Sequence, residues 1–248
     1  MSTSELSITK RRLLGGIAIA AVGLALTACS DAEDKAASAE PNPAVSNETT
    51  ASTTSAQIPT ADRDVDMEEA LKPGPLKEMA LGDPNAPVKV IEYMSMTCPH
   101  CAHFHENTFE AIKTKYVDTG KVYFVLREFP FPQDTASLAA FMLARCTTED
   151  KYFPFVSMFL KQQRTWAAPS DGDVRNAMLQ LSKMGGFTQE TFDACLTNAQ
   201  LAGDVSAVRD RGAQEFGVQS TPTFLINGKA YSGDMSVDSM SALFDSML

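Results

Sequence analysis

The N-terminal part of this sequence lacks the aromatic side chains that usually help to build a protein core. No aromatic residue occurs before Tyr93, and apolar heptads of the coiled-coil type are absent there. The chain also lacks an excess of basic residues, since 21 Lys and Arg stand against 31 Asp and Glu, for a net charge of −10. This acidity argues against a nucleic-acid-binding protein and against direct binding to anionic lipid.

The first 28 residues predict a signal peptide. Basic residues at positions 10–12 precede an apolar, uncharged run from 13 to 28, which is short for a membrane span. The run ends in Leu26-Thr27-Ala28-Cys29, which resembles a bacterial lipobox and implies that Cys29 is lipidated and becomes the new N-terminus. The alternative is an ordinary signal peptide cut near the same small residues, which leaves Cys29 as a free thiol.

Residues 29–65 are rich in Ser, Thr, Ala, Glu and Pro. Such a segment buries too little apolar surface to offset the entropy of ordering it, so we expect a disordered tether. Its root-mean-square reach would be on the order of 30 Å, which suits a segment that holds a domain away from a membrane. Residues 66–248 are numerous enough for one sizeable core.

Two cysteines three residues apart, Cys98 and Cys101, lie between an apolar run and an amphipathic one. Residues 88–94 predict a buried strand, and the apolar spacing after Cys101 predicts a helix. Pro99 falls in the first turn of that helix, where its missing N–H costs nothing. Cys98 is therefore expected at the helix N-terminus, where unpaired N–H groups and the helix dipole favour a thiolate.

The residues next to Cys98 complete a redox motif. Cys101 lies one turn further along the same helix face, close enough to form a small disulfide with Cys98. His100 can donate a hydrogen bond to the Cys98 thiolate and adds positive charge when it is protonated. A Cys-x-x-Cys sequence between a strand and a helix is the signal of a thioredoxin-like redox protein.

Two motifs give the sequence a resemblance to the DsbA family of exported thiol–disulfide oxidoreductases. Cys98-Pro99-His100-Cys101 matches the active-site tetrapeptide of that family, and Gly217-Val218-Gln219-Ser220-Thr221-Pro222-Thr223-Phe224 resembles its cis-proline loop. The resemblance covers about residues 75–248. It implies that Pro222 is cis and stands opposite the Cys98 sulfur, with the Thr221 backbone free to pair with an extended substrate segment.

The same resemblance implies a role for Glu92, which lies inside the first apolar strand. A carboxylate at such a position is costly unless it has a task. Glu92 matches the buried acid beneath the dithiol of the DsbA family, which implies that it relays the proton of Cys101. The alternative is a glutamate at the end of the strand that faces water.

The sequence predicts an α/β protein with a thioredoxin-like fold and an inserted α-helical domain at about residues 132–200. A second core strand is expected over residues 121–127, and a thioredoxin core does not need the helical runs that follow it. Asn227-Gly228 between two short apolar runs indicates a β-hairpin. Ser236 precedes a closing amphipathic helix.

Cys146 and Cys195 are each expected on a helix of the inserted domain. In an oxidising compartment a remaining pair of cysteines favours a disulfide, which would here close a loop of about 50 residues. Similar second disulfides occur in some members of the DsbA family. The alternative is two buried thiols that behave as apolar side chains.

The resemblance implies a thiol:disulfide oxidoreductase that introduces disulfides into exported proteins and needs no cofactor beyond the Cys98–Cys101 pair. Its substrates would be unfolded exported proteins with free cysteines, and a membrane redox partner of the DsbB kind would re-oxidise it. We expect a periplasmic or other extracytoplasmic location, with the lipid anchor as the only membrane attachment. A disulfide isomerase or reductase is an alternative, because Thr221 before the proline is also typical of exported isomerases.

A metal-binding module for copper or zinc is an alternative from another class, because His103 and His105 follow Cys98 and Cys101 closely. Helix geometry weakens this alternative, since His103 lies about 200° round the helix from Cys101. His103 is therefore expected on the solvated surface. His105 is expected on the helix face near the dithiol, without an assigned role, and we predict no resident metal.

Overall fold

Two parallel strands, Val88–Met94 (β3) and Val122–Glu128 (β4), form the centre of the fold. They pair from Val88 opposite Val122 to Met94 opposite Glu128, and all but one residue of each strand is buried. Strands covered on both faces need apolar side chains almost throughout, which explains their near-continuous apolar sequences. The structure, a computed structural model, describes residues 57–248.

Three predictions concern residues outside the described part of the chain. They are the signal peptide over residues 1–28, the lipidation of Cys29, and the tether as far as residue 56. The ordered domain begins before the predicted boundary at residue 66, because Arg63–Asp64 (β1) pairs with a strand near the C-terminus. The Arg63 guanidinium also donates a hydrogen bond of 2.7 Å to the Phe216 carbonyl. These distant partners order a short polar segment whose composition predicts disorder.

The described strands form one mixed sheet. The remaining members are β2 (Met79–Leu81), β5 (Thr223–Ile226) and β6 (Lys229–Ser232), and the order across the sheet is β1–β6–β5–β3–β4–β2. The turn between β5 and β6 is Asn227-Gly228, in which both residues have positive φ, 43° and 89°, as a tight hairpin turn requires. The predicted hairpin is confirmed.

The helices of the described residues surround this sheet, and most of those between β4 and β5 form the predicted insertion. In chain order they are α1 (Met67–Ala70), α2 (Pro99–Phe104), α3 (Glu110–Ile112), α4 (Thr135–Arg145), α5 (Glu149–Lys161), α6 (Gln163–Trp166), α7 (Val174–Met184), α8 (Gln189–Leu196), α9 (Ala199–Glu215) and α10 (Val237–Asp245). The insertion comprises α4 to α8, and α9 leads back to the sheet. No helix within residues 57–248 has both the length and the apolar character to cross a membrane.

The helical segment that begins at Pro99 alternates between α-helical and wider π-helical turns. Between α2 and α3 lies the π segment His105–Phe109, and a second π segment, Lys113–Val117, follows α3. The predicted apolar face is buried along its whole length, at Phe104, Thr108, Ile112 and Tyr116. π turns are frequent at functional positions, and the first one here begins at His105, four residues after Cys101.

Alternation along β3 separates the two apolar cores of the protein. Ile91 and Tyr93 belong to a smaller core with Val208 of α9, whereas Val90 and Met94 belong to the larger core shared with α2 and the insertion. Glu92 lies between Val90 and Met94 in this alternation. Its carboxylate therefore points into the core beneath the helix that carries the two cysteines.

A disulfide joins two helices of the insertion. Cys146 follows the last residue of α4, Cys195 lies in α8, and their Cα atoms are 6.2 Å apart. The bond links residues separated by 49 positions in the sequence. It fastens α8 to α4, the helix that begins next to the active-site turn.

Replacing both of these cysteines with serine is expected to lower the free energy of unfolding by about 4 kcal/mol, because the cross-link restricts the unfolded chain over a long loop. Urea denaturation of the protein and of the Cys146→Ser, Cys195→Ser variant measures the difference. Wild-type protein with this bond reduced is the matched control and should unfold like the variant. A loss below about 1 kcal/mol would contradict the expectation.

Candidate active site

Cys98 lies at the start of α2, as the sequence predicts. It is the N-cap residue, with φ −74° and ψ 120°, and Pro99 occupies the first helical position. No side chain caps this helix end, so its free N–H groups face the Cys98 sulfur. Cys98 is partly exposed, so an attacking sulfur can reach it.

The loop that leads into β5 lies against this sulfur. The peptide bond between Thr221 and Pro222 is cis, and the Cys98 thiol donates a hydrogen bond of 3.1 Å to the Thr221 carbonyl. β5 begins at the next residue and pairs with β3, which leads into the active-site turn. Two neighbouring strands of one sheet thus bring the two distant motifs together.

The surroundings of Cys98 favour its ionised form. A hydrogen bond from the Cys101 thiol, helped by the backbone N–H groups of Cys101 and His100, lowers the pKa of Cys98 from 9.0 to about 5, although partial burial acts in the opposite direction. At neutral pH the sulfur is therefore a thiolate, which is the reactive form of cysteine.

Cys101 has the opposite character. It is completely buried, and burial, its hydrogen bond to Cys98 and the nearby charge of Glu92 raise the pKa of Cys101 well above 9.0. The dithiol therefore consists of one ionised, accessible sulfur and one protonated, sheltered sulfur. This division is the one expected of a pair that exchanges disulfides at Cys98.

The two exposed histidines of α2 share an aspartate. The His103 ring nitrogen Nδ1 lies 2.6 Å from Asp234, so this residue is on the surface as predicted. The His100 ring is also directed towards Asp234, at 3.9 Å, and makes no hydrogen bond to Cys98. His100 acts on the sulfur through its backbone N–H instead of through the predicted imidazole contact.

Glu92 has a hydrogen-bond partner, His105, that the sequence did not predict. Glu92 is completely buried, which excludes the alternative of a water-facing side chain, and its carboxylate contacts Nε2 of His105 at 2.9 Å and 3.2 Å. His105 follows Cys101 by four residues and so faces the same core. That spacing, together with a charged residue in the strand below, was the available signal.

The described residues give the metal-binding alternative no support. Cys98 and Cys101 contact each other and the cis-proline loop, while His103 and His105 lie on different sides of the helix with separate carboxylate partners. Within residues 57–248 no three His, Cys, Asp or Glu side chains are arranged to hold an ion.

The helical insertion holds the active-site turn in place through hydrogen bonds. Ser137, in the first turn of α4, accepts one of 3.0 Å from the Met96 backbone, and Asp134, the N-cap of α4, accepts another from Thr97. Gln163, at the start of α6, donates from one nitrogen to the carbonyls of Met96 and Cys98, each at 2.9 Å. The sequence motifs give no indication of these contacts.

Comparison with known proteins agrees with this geometry. A family model described as Thioredoxin matches residues 76–246. A Rickettsia felis protein named "Putative protein-disulfide oxidoreductase" is 34% identical over 172 residues, which are 69% of this chain and 60% of that protein, so this chain spans less than two thirds of its length. The thiol:disulfide interchange protein DsbA of Yersinia pestis is 28% identical over 144 residues, or 57% of this chain and 66% of that protein.

Solved structures are similar over the same region. The structure of α-DsbA1 from Wolbachia pipientis matches with a TM-score of 0.66 and 28% identity, covering 73% of this chain and 96% of that one. BdbD from Bacillus subtilis matches with a TM-score of 0.58 and 20% identity over 77% of this chain and 98% of its own. At that identity the second likeness supports the fold alone.

Removing the Gln163 side chain is expected to loosen the active-site turn. Gln163→Ala deletes two hydrogen bonds to partly buried carbonyls, so the free energy of unfolding of the reduced protein should fall by about 1–2 kcal/mol. Urea denaturation measures this loss. Gln162→Ala, at the neighbouring position, is the matched control and should change stability by less than about 0.5 kcal/mol.

The low pKa of Cys98 should appear in the pH dependence of stability. Because the pKa is about 5 in the folded protein and near 9.0 otherwise, ionisation stabilises the reduced fold fully above pH 9, and this contribution is lost as the pH falls towards 5. Unfolding of the reduced protein, compared with Cys98→Ala from pH 9 to pH 4, tests this. A constant difference between the two proteins would contradict it.

Proposed function

Since the chain belongs to the thioredoxin family and to its DsbA-like members, we propose that it is a thiol:disulfide oxidoreductase that introduces disulfides into exported proteins by exchange at Cys98 and Cys101. The observation that carries this proposal is the position of a partly exposed Cys98 sulfur at the N-terminus of α2, beside the buried Cys101 and the cis-proline loop. These surroundings lower the pKa of Cys98 to about 5. A stable thiolate is a good leaving group, so the environment that lowers this pKa also makes the disulfide form an oxidant.

The exchange proceeds in two steps. A thiolate of the substrate attacks the Cys98 sulfur of the Cys98–Cys101 disulfide, so that a mixed disulfide forms and Cys101 leaves and takes up a proton. A second substrate thiolate then attacks the substrate sulfur of the mixed disulfide, which releases Cys98 as a thiolate. The substrate has lost two electrons, and the protein holds them as its dithiol. No cofactor takes part.

The cis-proline loop and a neighbouring groove are the proposed substrate contacts. The carbonyl of Thr221, which accepts the Cys98 hydrogen bond, would pair with the backbone of an extended substrate segment, beside Pro222. A groove of about 780 Å³ continues from Pro99 and His100 along the junction of α5 and α6. This position suits an unfolded chain with free cysteines.

The remaining parts of the proposal concern the proton and the location. Glu92, buried below Cys101, would take up and return the Cys101 proton. A membrane redox partner would re-oxidise the dithiol, and a signal peptide over residues 1–28 with lipidation at Cys29 would hold the protein at the membrane outside the cytoplasm. Its tether, from residue 29 onward, would let the domain reach that partner.

The reduction potential of the Cys98–Cys101 pair tests the direction of the exchange. We expect a value closer to about −120 mV than to about −270 mV, the potentials of DsbA and thioredoxin, because the Cys98 thiolate is stabilised. Equilibration with glutathione buffers, followed by alkylation of free thiols, measures it.

The oxidised protein should also form disulfides in a reduced, unfolded model protein, and Cys98→Ser should abolish this activity. Cys146→Ser with Cys195→Ser is the matched control, because it removes the other disulfide and should keep the activity. A potential near that of thioredoxin would favour the reductase or isomerase, which Thr221 before Pro222 also fits.

A further inference from the structure

His105 and Glu92 form a buried pair that crosses from the helix to the strand below it. His105 is 3% exposed and Glu92 is completely buried, and Nε2 of the ring faces both carboxylate oxygens at 2.9 Å and 3.2 Å. With Nε2 between two acceptors, one proton lies between the ring and the carboxylate.

The His105–Glu92 pair is surrounded by apolar side chains, and the stability of the fold does not by itself explain a polar pair at this position. The His105 ring packs against the rings of Phe104 and Phe109, with centroid distances of 5.4 Å and 4.7 Å. A buried polar pair costs desolvation free energy that two packed apolar side chains would not. The first π turn, which begins at His105, lies at this point of the helix. The pair thus has the character of a functional element in the core.

The other titratable groups in this part of the core bond to one another and do not compete with Cys101 for the His105–Glu92 pair. Cys101 from α2 and Tyr152 from α5 both sense the charge of Glu92. Tyr152 donates its hydroxyl to Glu128 at 2.8 Å, and Arg145 donates to the same Glu128 oxygen at 2.5 Å, so these three groups are engaged with one another. On the neighbouring strand β5, the apolar Phe224 lies opposite Glu92.

Cys101 needs a proton carrier because water does not reach its sulfur. The side chain is completely buried, and the thiol form is strongly favoured there. In each turnover the sulfur leaves the Cys98–Cys101 disulfide and must gain a proton, and it must lose that proton when the disulfide forms again. Glu92 lies close enough for its charge to act on Cys101, and His105 is its hydrogen-bond partner.

We infer that His105 is a positioning residue that holds the shared proton on Glu92 and lets this carboxyl deliver it to, and recover it from, the Cys101 sulfur. The inference rests on the proposed exchange at Cys98. When a thiolate attacks Cys98, the S–S bond breaks and its electron pair moves to Cys101, which takes the proton of the pair. His105 then regains a proton from solvent. Re-oxidation by the disulfide of the redox partner returns the proton by the same route.

The reaction of the oxidised protein with glutathione over pH 4–9, followed by acid quench and alkylation, tests this role. His105→Gln keeps a hydrogen-bond donor towards Glu92 but does not titrate, so the rate of Cys101 release should fall about tenfold at pH 7 and one inflection of the pH profile should disappear. Glu92→Gln should do the same, and the double variant should lose little more. The matched control is Glu110→Gln, which removes an exposed titratable side chain further along the same helix and should keep the wild-type profile.

An unchanged rate and pH profile in His105→Gln would overturn the inference, and so would losses that simply add in the double variant. Should His105→Gln not fold, the wild-type protein decides: the ¹⁵N shifts of His105, followed over pH 4–9, should change with the same midpoint as the rate profile, and shifts that stay constant over that range would overturn the inference. Glutathione reports on the sulfur chemistry itself. A thioredoxin-like potential would therefore contradict the proposed oxidant function and leave the test of His105 unaffected.

Discussion

The division of protons between the two active-site sulfurs is the constraint on which the site depends. The fold enforces this division by placing Cys98 at a helix N-terminus and Cys101 one turn deeper, out of reach of water. Two identical side chains three residues apart thus have pKa values that are moved in opposite directions. A favoured reduced state is what the proposed electron-accepting role of the disulfide requires.

The helical insertion maintains this arrangement as well as covering the sheet. Asp134 and Ser137 hold the turn before Cys98 from one side, and Gln163 holds the carbonyls of Met96 and Cys98 from another. These contacts come from two separate helices, α4 and α6, so the position of the reactive sulfur depends on how the insertion packs. The disulfide between α4 and α8 lies at the opposite end of α4 from these contacts and does not touch the active-site turn.

Patterns local to a few residues could be predicted from the sequence, whereas contacts between distant residues could not. The Cys-x-x-Cys spacing and Pro99 were sufficient to place Cys98 at a helix N-terminus, and Asn227-Gly228 was sufficient for the hairpin. The pairing of β1 with β6 was missed because a two-residue polar strand has no hydrophobic pattern. The contact between His105 and Glu92 was missed because it depends on which strand lies below the helix, and helical spacing alone gives only the face.

The bond between the Cys98 thiol and the Thr221 carbonyl requires a protonated sulfur. With a pKa of about 5, the reduced protein has lost that proton at neutral pH, and a Cys98–Cys101 disulfide has none to donate. In both redox states the Thr221 carbonyl is therefore released from the sulfur. A backbone acceptor for strand pairing thus lies open beside the reacting atom throughout the proposed cycle, and acid conditions would close it.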